Sequence, residues 1–242
     1  MTSDKKSERT RAAILRAALG LFRRKGFDRT TMRDVARAAE VAVGAAYYYF
    51  PSKDALVLAY YAEVQRACTE RAERDFAATE DPRERLRAAI RGKLEILARD
   101  RRLLSALFRT MFDPNNALSV FGEASRGVRE ESIATFARAL ETSDAVRALS
   151  ESDRRVLALS TWSLHMGILL YFLHDASAGA AKTHALAAAA VDLVADLLPA
   201  SPLLAASMGA RLSSLLDAAG LLGPGLEPSD VPKGPESRRK SR

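Results

Sequence analysis

Between Thr31 and Lys53 the chain gathers hydroxyls, phenols and cations around a stretch with almost no side chains. Gly44, Ala45 and Ala46 form that bare stretch; a helix carrying them can bring its backbone against the edges of base pairs in a major groove, where Ala45 can touch a thymine methyl. Donors for phosphate oxygens flank it. They are the phenols of Tyr47 and Tyr49, the Thr31 hydroxyl at one helix start and the Lys53 ammonium at another, where free backbone amides add to the attraction. Arg33, Val43, Gly44, Ala45 and Tyr48 are then the residues placed to read base sequence, whereas Val35, Ala46 and Phe50 are expected in the core.

No comparable set for catalysis or metal binding occurs. His165, His174 and His184 are nine and ten residues apart, without an i,i+4 pair or a carboxylate set at ligand spacing. Neither a glycine-rich phosphate loop nor a nucleophile elbow is present. No enzyme activity, metal or cofactor is expected. The single cysteine, Cys68, rules out an intrachain disulfide framework and suits a reducing, cytoplasmic setting.

Charge supports a polyanionic partner. Residues 1–55 hold 12 Lys and Arg against 6 Asp and Glu, residues 56–222 hold 20 against 21, and residues 223–242 hold 5 against 3, so the net charge of +7 sits at the two ends. The basic residues Lys5, Lys6, Arg9 and Arg11 form an N-terminal arm able to add a phosphate or minor-groove contact. At 242 residues with 48% hydrophobic and 28% charged residues, the chain can bury a sizeable core. Val156 to Leu173 lacks charged residues over 18 positions, close to the lower limit of a membrane span, but Ser160, Thr161, Ser163, His165 and Gly167 argue against one.

The elements that must position these residues are helices throughout, giving an all-α fold of about ten helices. The first is expected over Ser7–Lys25, with Arg23, Arg24 and Lys25 complementing its C-terminal dipole, Gly26 stopping it and Phe27 folding back. Thr31 and Asp34 read as a capping box for a short second helix, Met32–Ala39. A third follows over Val43–Phe50, and Ser52 caps a long fourth, Lys53–Thr79. Further helices are expected from Pro82 to about Arg99, Arg102–Phe112, on to about Glu141, Ser152–His174, Ala181–Leu198, and from Pro202 to near Leu222. The tail over 223–242, rich in Pro, Gly, Ser and charge, is expected to be disordered. The organisation is thus residues 1–53 for DNA, 54–222 for ligand and dimerisation, and 223–242 as a basic tail.

The run TTMRDVARAAEVAVGAAYYYFPSKDAL resembles the N-terminal DNA-binding domain of the TetR family of bacterial transcriptional repressors, through Thr31, Ala36, Gly44, Tyr47, Phe50 and Lys53 together. Two positions depart from the family pattern. Glu40 stands where the turn usually holds glycine, costing about 1 kcal/mol if φ is positive there. Ala42 stands where a serine commonly caps the recognition helix, a loss of about 1 kcal/mol.

The resemblance implies a repressor that binds a palindromic double-stranded operator as a homodimer and is released by a small molecule. The helix over Ser152–His174 is apolar nearly all round and needs cover on several faces. Leu157, Leu164, Ile168 and Tyr171, with Leu186, Ala190, Val194 and Leu197 of the next helix, are the expected dimer interface. Phe108, Met111, Phe112, Phe121, Trp162 and Met166, together with Phe136 and Phe172, are the expected apolar ligand contacts; Arg109, Ser125, Arg129 and His165 are their polar companions. A hydrophobic inducer follows. Two other readings stay open: a DNA-binding dimer without a small-molecule switch, and a helical interaction protein whose basic N-terminus binds anionic membrane surfaces.

Overall fold

The computed structural model describes residues 2–113, 116–218 and 220–221. Among them are eleven α-helices and no strand. The tail over 223–242 lies outside the described residues.

Helix α1, Thr2–Lys25, buries Ile14, Leu15, Ala18, Leu19, Leu21 and Phe22 along one stripe. It takes up the basic arm in helical form, starting earlier than the sequence suggests. Gly26, with φ of 85°, stops it, and Phe27 returns edge-on to Phe22 with ring centroids 5.2 Å apart. Helix α2, Met32–Ala38, begins with the expected reciprocal cap: the Thr31 hydroxyl accepts from the Asp34 amide, and the Asp34 carboxylate accepts from the Thr31 amide, both at 3.1 Å. Helix α3, Val43–Tyr49, has no side-chain cap, because Ala42 offers none. Val35, Ala36, Ala46 and Phe50 close the small core beneath these helices.

Ser52 accepts from the Ala55 amide at 3.1 Å to start α4, Lys53–Phe76. Its 24 residues span about 36 Å. That length carries it from the first core, where Leu56 and Val57 lie, into the larger one at Cys68, Ala72 and Phe76. The buried Arg85 turns the corner into α5, Pro82–Ala98, by donating to the Thr79 carbonyl at 2.7 Å and the Phe76 carbonyl at 3.2 Å.

Helices α6, Arg101–Phe112, and α7, Arg126–Leu140, complete the middle of the bundle. A one-turn helix, α8, Asp144–Arg147, follows where the sequence reading placed only a connection; Val146 is its single buried residue, too little to register as a periodic signal. Helix α9, Glu151–His174, starts at a Ser150 cap and packs against α5, α6, α7 and the two helices that follow. Those are α10, Ala181–Leu197, and α11, Ser201–Ala218. Both α9 and the α10–α11 stretch are long and apolar enough to cross a membrane by length and composition. In this fold they cover the bundle.

The corner between α9 and α10 is built on Asp175. Its buried carboxylate accepts from the Ser177 amide and hydroxyl at 2.8 and 2.6 Å and from the Thr183 amide and hydroxyl at 2.8 and 2.7 Å. These bonds outweigh burial and hold its carboxyl below the usual carboxylate range. They also offset the left-handed backbone of Ala180, with φ of 56°. Arg83 and Arg87 of α5 then tie α10 in place through Asp192, at 2.7 and 3.0 Å.

Candidate nucleic-acid interface and ligand cavity

Around α3 the side chains separate by role. Ala46 and Phe50 are buried, while Val43, Tyr47 and Tyr48 face solvent, Tyr47 at 49% and Tyr48 at 82% exposure. Gly44 is exposed, and a methyl group built on it meets nothing within 4 Å. Nothing inside the subunit therefore requires glycine at that helical position, where it weakens the helix. Ala45 is half-buried, and Arg33 is exposed on α2. Tyr49 is half-buried beneath Tyr48, and its phenol lies 3.2 Å from the Ser7 hydroxyl on α1.

Two further expected phosphate donors have internal partners. The Thr31 hydroxyl donates to Asp34 Oδ2 at 3.0 Å while accepting the Asp34 amide. Lys25 pairs with the same carboxylate at 3.1 Å; its hydrogen bond, with those from the Thr31 amide and hydroxyl, holds Asp34 down to about 2. Lys53 donates to the Phe27 carbonyl at 2.9 Å and the Asp28 carbonyl at 3.4 Å, with its ammonium 4.4 Å from the Phe27 ring centre. It stitches the start of α4 to the loop after α1, and its third N–H is left for an external acceptor.

The α2–α3 turn has the strain that its sequence implies. Glu40 adopts φ of 56°, a left-handed conformation that glycine takes without penalty.

Between α4, α5, α6, α7 and α9 lies a cavity of about 110 Å³. Met111, Arg129, Trp162 and Met166 line it as the sequence suggests, and so do Ser125 and Phe172. Phe108, Phe121 and His165 do not. Phe108 stacks edge-on with His174, and Phe121 with Trp162 from the outside. His165 is wholly buried, tilted against the Phe136 ring with centroids 5.0 Å apart; both its nitrogens lack a hydrogen-bond partner, and burial, with Lys93 nearby, drives its pKa well down. Phe136 is a core residue away from the wall, and the side chains of Arg109 and Phe112 lie outside the described residues.

Beyond Ser125 and Arg129, the sequence reading missed the cavity's polar side. Lys93 of α5 donates to Gln65 Oε1 at 3.1 Å and Ser132 Oγ at 3.0 Å, and all three residues line the space, as do Tyr60 and Tyr61. A signal was present. Leu86, Ile90, Lys93 and Leu97 share one helical stripe, so a lysine interrupts a buried face.

Tyr60 also connects the cavity to the first domain. Its phenol donates to Asp100 Oδ2 at 2.9 Å, and the same buried carboxylate receives Arg23 of α1 at 2.6 and 3.0 Å.

Of the expected interface residues, Leu164, Tyr171, Leu186 and Leu197 are exposed, and Leu193 beside them is 60% exposed. Leu157 and Val194 are half-buried along a groove under α11. Ile168 and Ala190 are corrections: both are buried within their own subunit, Ile168 because α9 packs on several sides at once and Ala190 because α10 packs against both α5 and α9.

Comparison with known proteins agrees with this two-part plan. Residues 14–60 match the profile of bacterial regulatory proteins of the tetR family, and residues 85–213 match the tetracyclin repressor-like C-terminal domain. The chain belongs to the TetR family. A TetR-family transcriptional regulator of Thermus thermophilus, the repressor FadR in complex with lauroyl-CoA, is 27% identical, with 78% of this chain and 92% of that one covered and a TM-score of 0.56. A putative TetR-family regulator from Syntrophomonas wolfei shares the fold at 18% identity and a TM-score of 0.62, covering 78% of this chain and 95% of that one. The uncharacterized HTH-type transcriptional regulator YuxN of Bacillus subtilis is 44% identical over 45 residues, 19% of this chain and 16% of that protein. The match thus spans about a sixth of that relative's length.

Proposed function

We propose that this TetR-family protein is a homodimeric repressor that binds a palindromic DNA operator through α3 and leaves it when a small apolar ligand fills the cavity. The observation that carries the DNA half is Gly44. Its bare backbone faces outward, is not needed by the subunit, and is flanked by exposed Val43, Tyr47 and Tyr48. Such a surface suits close approach to base edges, with Tyr47 and the third N–H of Lys53 directed to phosphates. The Thr31 hydroxyl, engaged by Asp34, contributes chiefly by shaping the start of α2.

The exposed leucines of α9 and α10 support the dimer, in which two α3 helices would lie about one DNA turn apart. The cavity supports the switch, and the lauroyl-CoA bound by the Thermus thermophilus relative favours an apolar chain as the ligand. Binding would be linked to release if the occupied cavity favours a wider spacing of the two α3 helices.

The test is selection of fragments from genomic DNA of the source organism by the purified protein at low ionic strength. Enrichment of one inverted repeat is expected. Uniform recovery of all fragments would refute the reading.

A further inference from the structure

The two sides of the cavity differ in chemistry. The wall from α6 and α9 is apolar, whereas the wall from α4, α5, α7 and the turn just before α7 carries Lys93, Tyr61, Ser125 and Arg129. Lys93 is the unusual member. Its two hydrogen-bond partners, Gln65 and Ser132, are neutral, and no ion pair to it occurs among the described residues. Burial lowers its pKa and outweighs the opposing effects of Cys68 and of Glu131, whose carboxylate is exposed and accepts from Thr69; the wholly buried His165 is a further titratable neighbour, and Tyr60, Tyr61 and Arg129 line the same cavity. A half-buried ammonium with only neutral partners is an unbalanced charge.

Two further donors are equally incomplete. The Tyr61 hydroxyl and the Ser125 hydroxyl are buried, lack any hydrogen-bond partner, and belong to residues that line the same cavity. Arg129 is partly engaged: its Nη1 donates to the carbonyls of Val120 and Gly122 at 2.9 and 3.3 Å, while its buried Nε has no partner and no ion pair to it occurs among the described residues. The cavity is therefore lined by two cations without a carboxylate partner, Lys93 and Arg129, and by unused donors in the third N–H of Lys93, the Arg129 Nε–H and the two hydroxyls, facing an apolar wall.

We propose that the ligand is an apolar carboxylate whose chain lies along α6 and α9 while its carboxylate is paired by Lys93 and hydrogen-bonded by Tyr61 and Ser125. A carboxylate is acceptor-only and carries the negative charge that the site lacks. An alcohol of the same length leaves the cations unbalanced, and an amine adds another. Met111 and Met166, unbranched and flexible, let the apolar end widen around the chain. This deepens the ligand half of the proposed function and rests on that reading for its regulatory meaning, although binding is measured without DNA.

The experiment is calorimetric titration of the full-length protein with octanoate, octan-1-ol, octylamine and octanoyl-CoA, repeated on Lys93→Met. Octanoate is expected to bind the parent at least about tenfold more tightly than octan-1-ol, and octylamine not at all. Lys93→Met is expected to lose about tenfold or more for octanoate, to hold octan-1-ol at least as well, and to melt no lower than the parent. Equal affinity for octanoate and octan-1-ol, unchanged octanoate affinity in Lys93→Met, or binding of the thioester without the free acid would each overturn the proposal. Should the variant not fold, the ranking of the four probes on the parent decides. An operator gel shift separates the two readings. Release by octan-1-ol and octanoate alike keeps the switch and sinks the carboxylate; octanoate binding without release does the reverse.

Discussion

Arg23 and Asp100, 77 positions apart, form a two-pronged ion pair between α1 of the first domain and the turn before α6 of the second, with N–O distances of 2.6 and 3.0 Å. Tyr60, a cavity wall residue, shares the same carboxylate. The pair joins the two parts of the molecule at the point where a ligand would press.

Asp100→Asn is expected to cost about 2 kcal/mol of stability at neutral pH, because hydrogen bonds to a charged group are among the stronger ones. The pH dependence follows from its sign. Burial pushes the Asp100 carboxyl up, but hydrogen bonds from Arg23 and Tyr60 and the charges of Arg23 and Arg99 outweigh it, so the folded value is lowered. The stabilisation is then fully present above the unfolded value of about 4 and fades as pH falls through the folded one. Melting curves of parent and variant should differ at pH 6 and converge below about pH 4; a constant gap would contradict the assignment.

Tyr60→Phe removes one bond from that carboxylate and leaves the ring in the wall. If coupling runs through this cluster, ligand affinity should change little while the ligand's effect on operator affinity shrinks severalfold. Paired calorimetry and gel shifts read the two separately.

The turn between α2 and α3 is under-optimised. Glu40→Gly should stabilise by up to about 1 kcal/mol through relief of a left-handed non-glycine backbone. Ala42→Ser should add about 1 kcal/mol by capping α3. Chemical denaturation tests both, and a fall in midpoint for either would show that the turn is held by something else.

The DNA-facing residues should divide by consequence. Gly44→Leu is expected to fold at least as well as the parent, since open space surrounds the position, yet to lose sequence-specific binding. Tyr47→Phe should leave the melting temperature alone and weaken binding to all sequences. Lys53→Met should do both kinds of damage, because the ammonium also holds the Phe27 and Asp28 carbonyls. Retained operator affinity in Gly44→Leu would remove α3 from the interface.

Leu193→Glu places a charge on the exposed face of α10. Sedimentation should show a folded monomer with operator affinity reduced at least about a hundredfold, because two half-sites would act together in the proposed dimer. A variant that remains dimeric would move the interface elsewhere.

What was legible in the sequence divides along the same line as the molecule. Residues 1–53 carry local signals: Gly26 as a stop, Thr31 with Asp34 as a cap, Ser52 as the next one. Each depends on neighbours within four positions, so spacing alone reveals it. The cavity does not work that way. Tyr61, Lys93, Ser125 and Trp162 meet only after five helices pack, and a lysine within α5 reads as solvated unless its position on the Ile90–Leu97 stripe is weighed. Ile168 was misread for a related reason: on a helix apolar all round, periodicity does not say which side meets the subunit's own core.

The Asp175 corner has a kinetic corollary. With its four hydrogen bonds it sets α9 and α10 as one preformed block, so two copies would meet on surfaces already in their final shape. Assembly would then be paced by orientation on encounter, and newly made chains could pair as soon as they collide correctly.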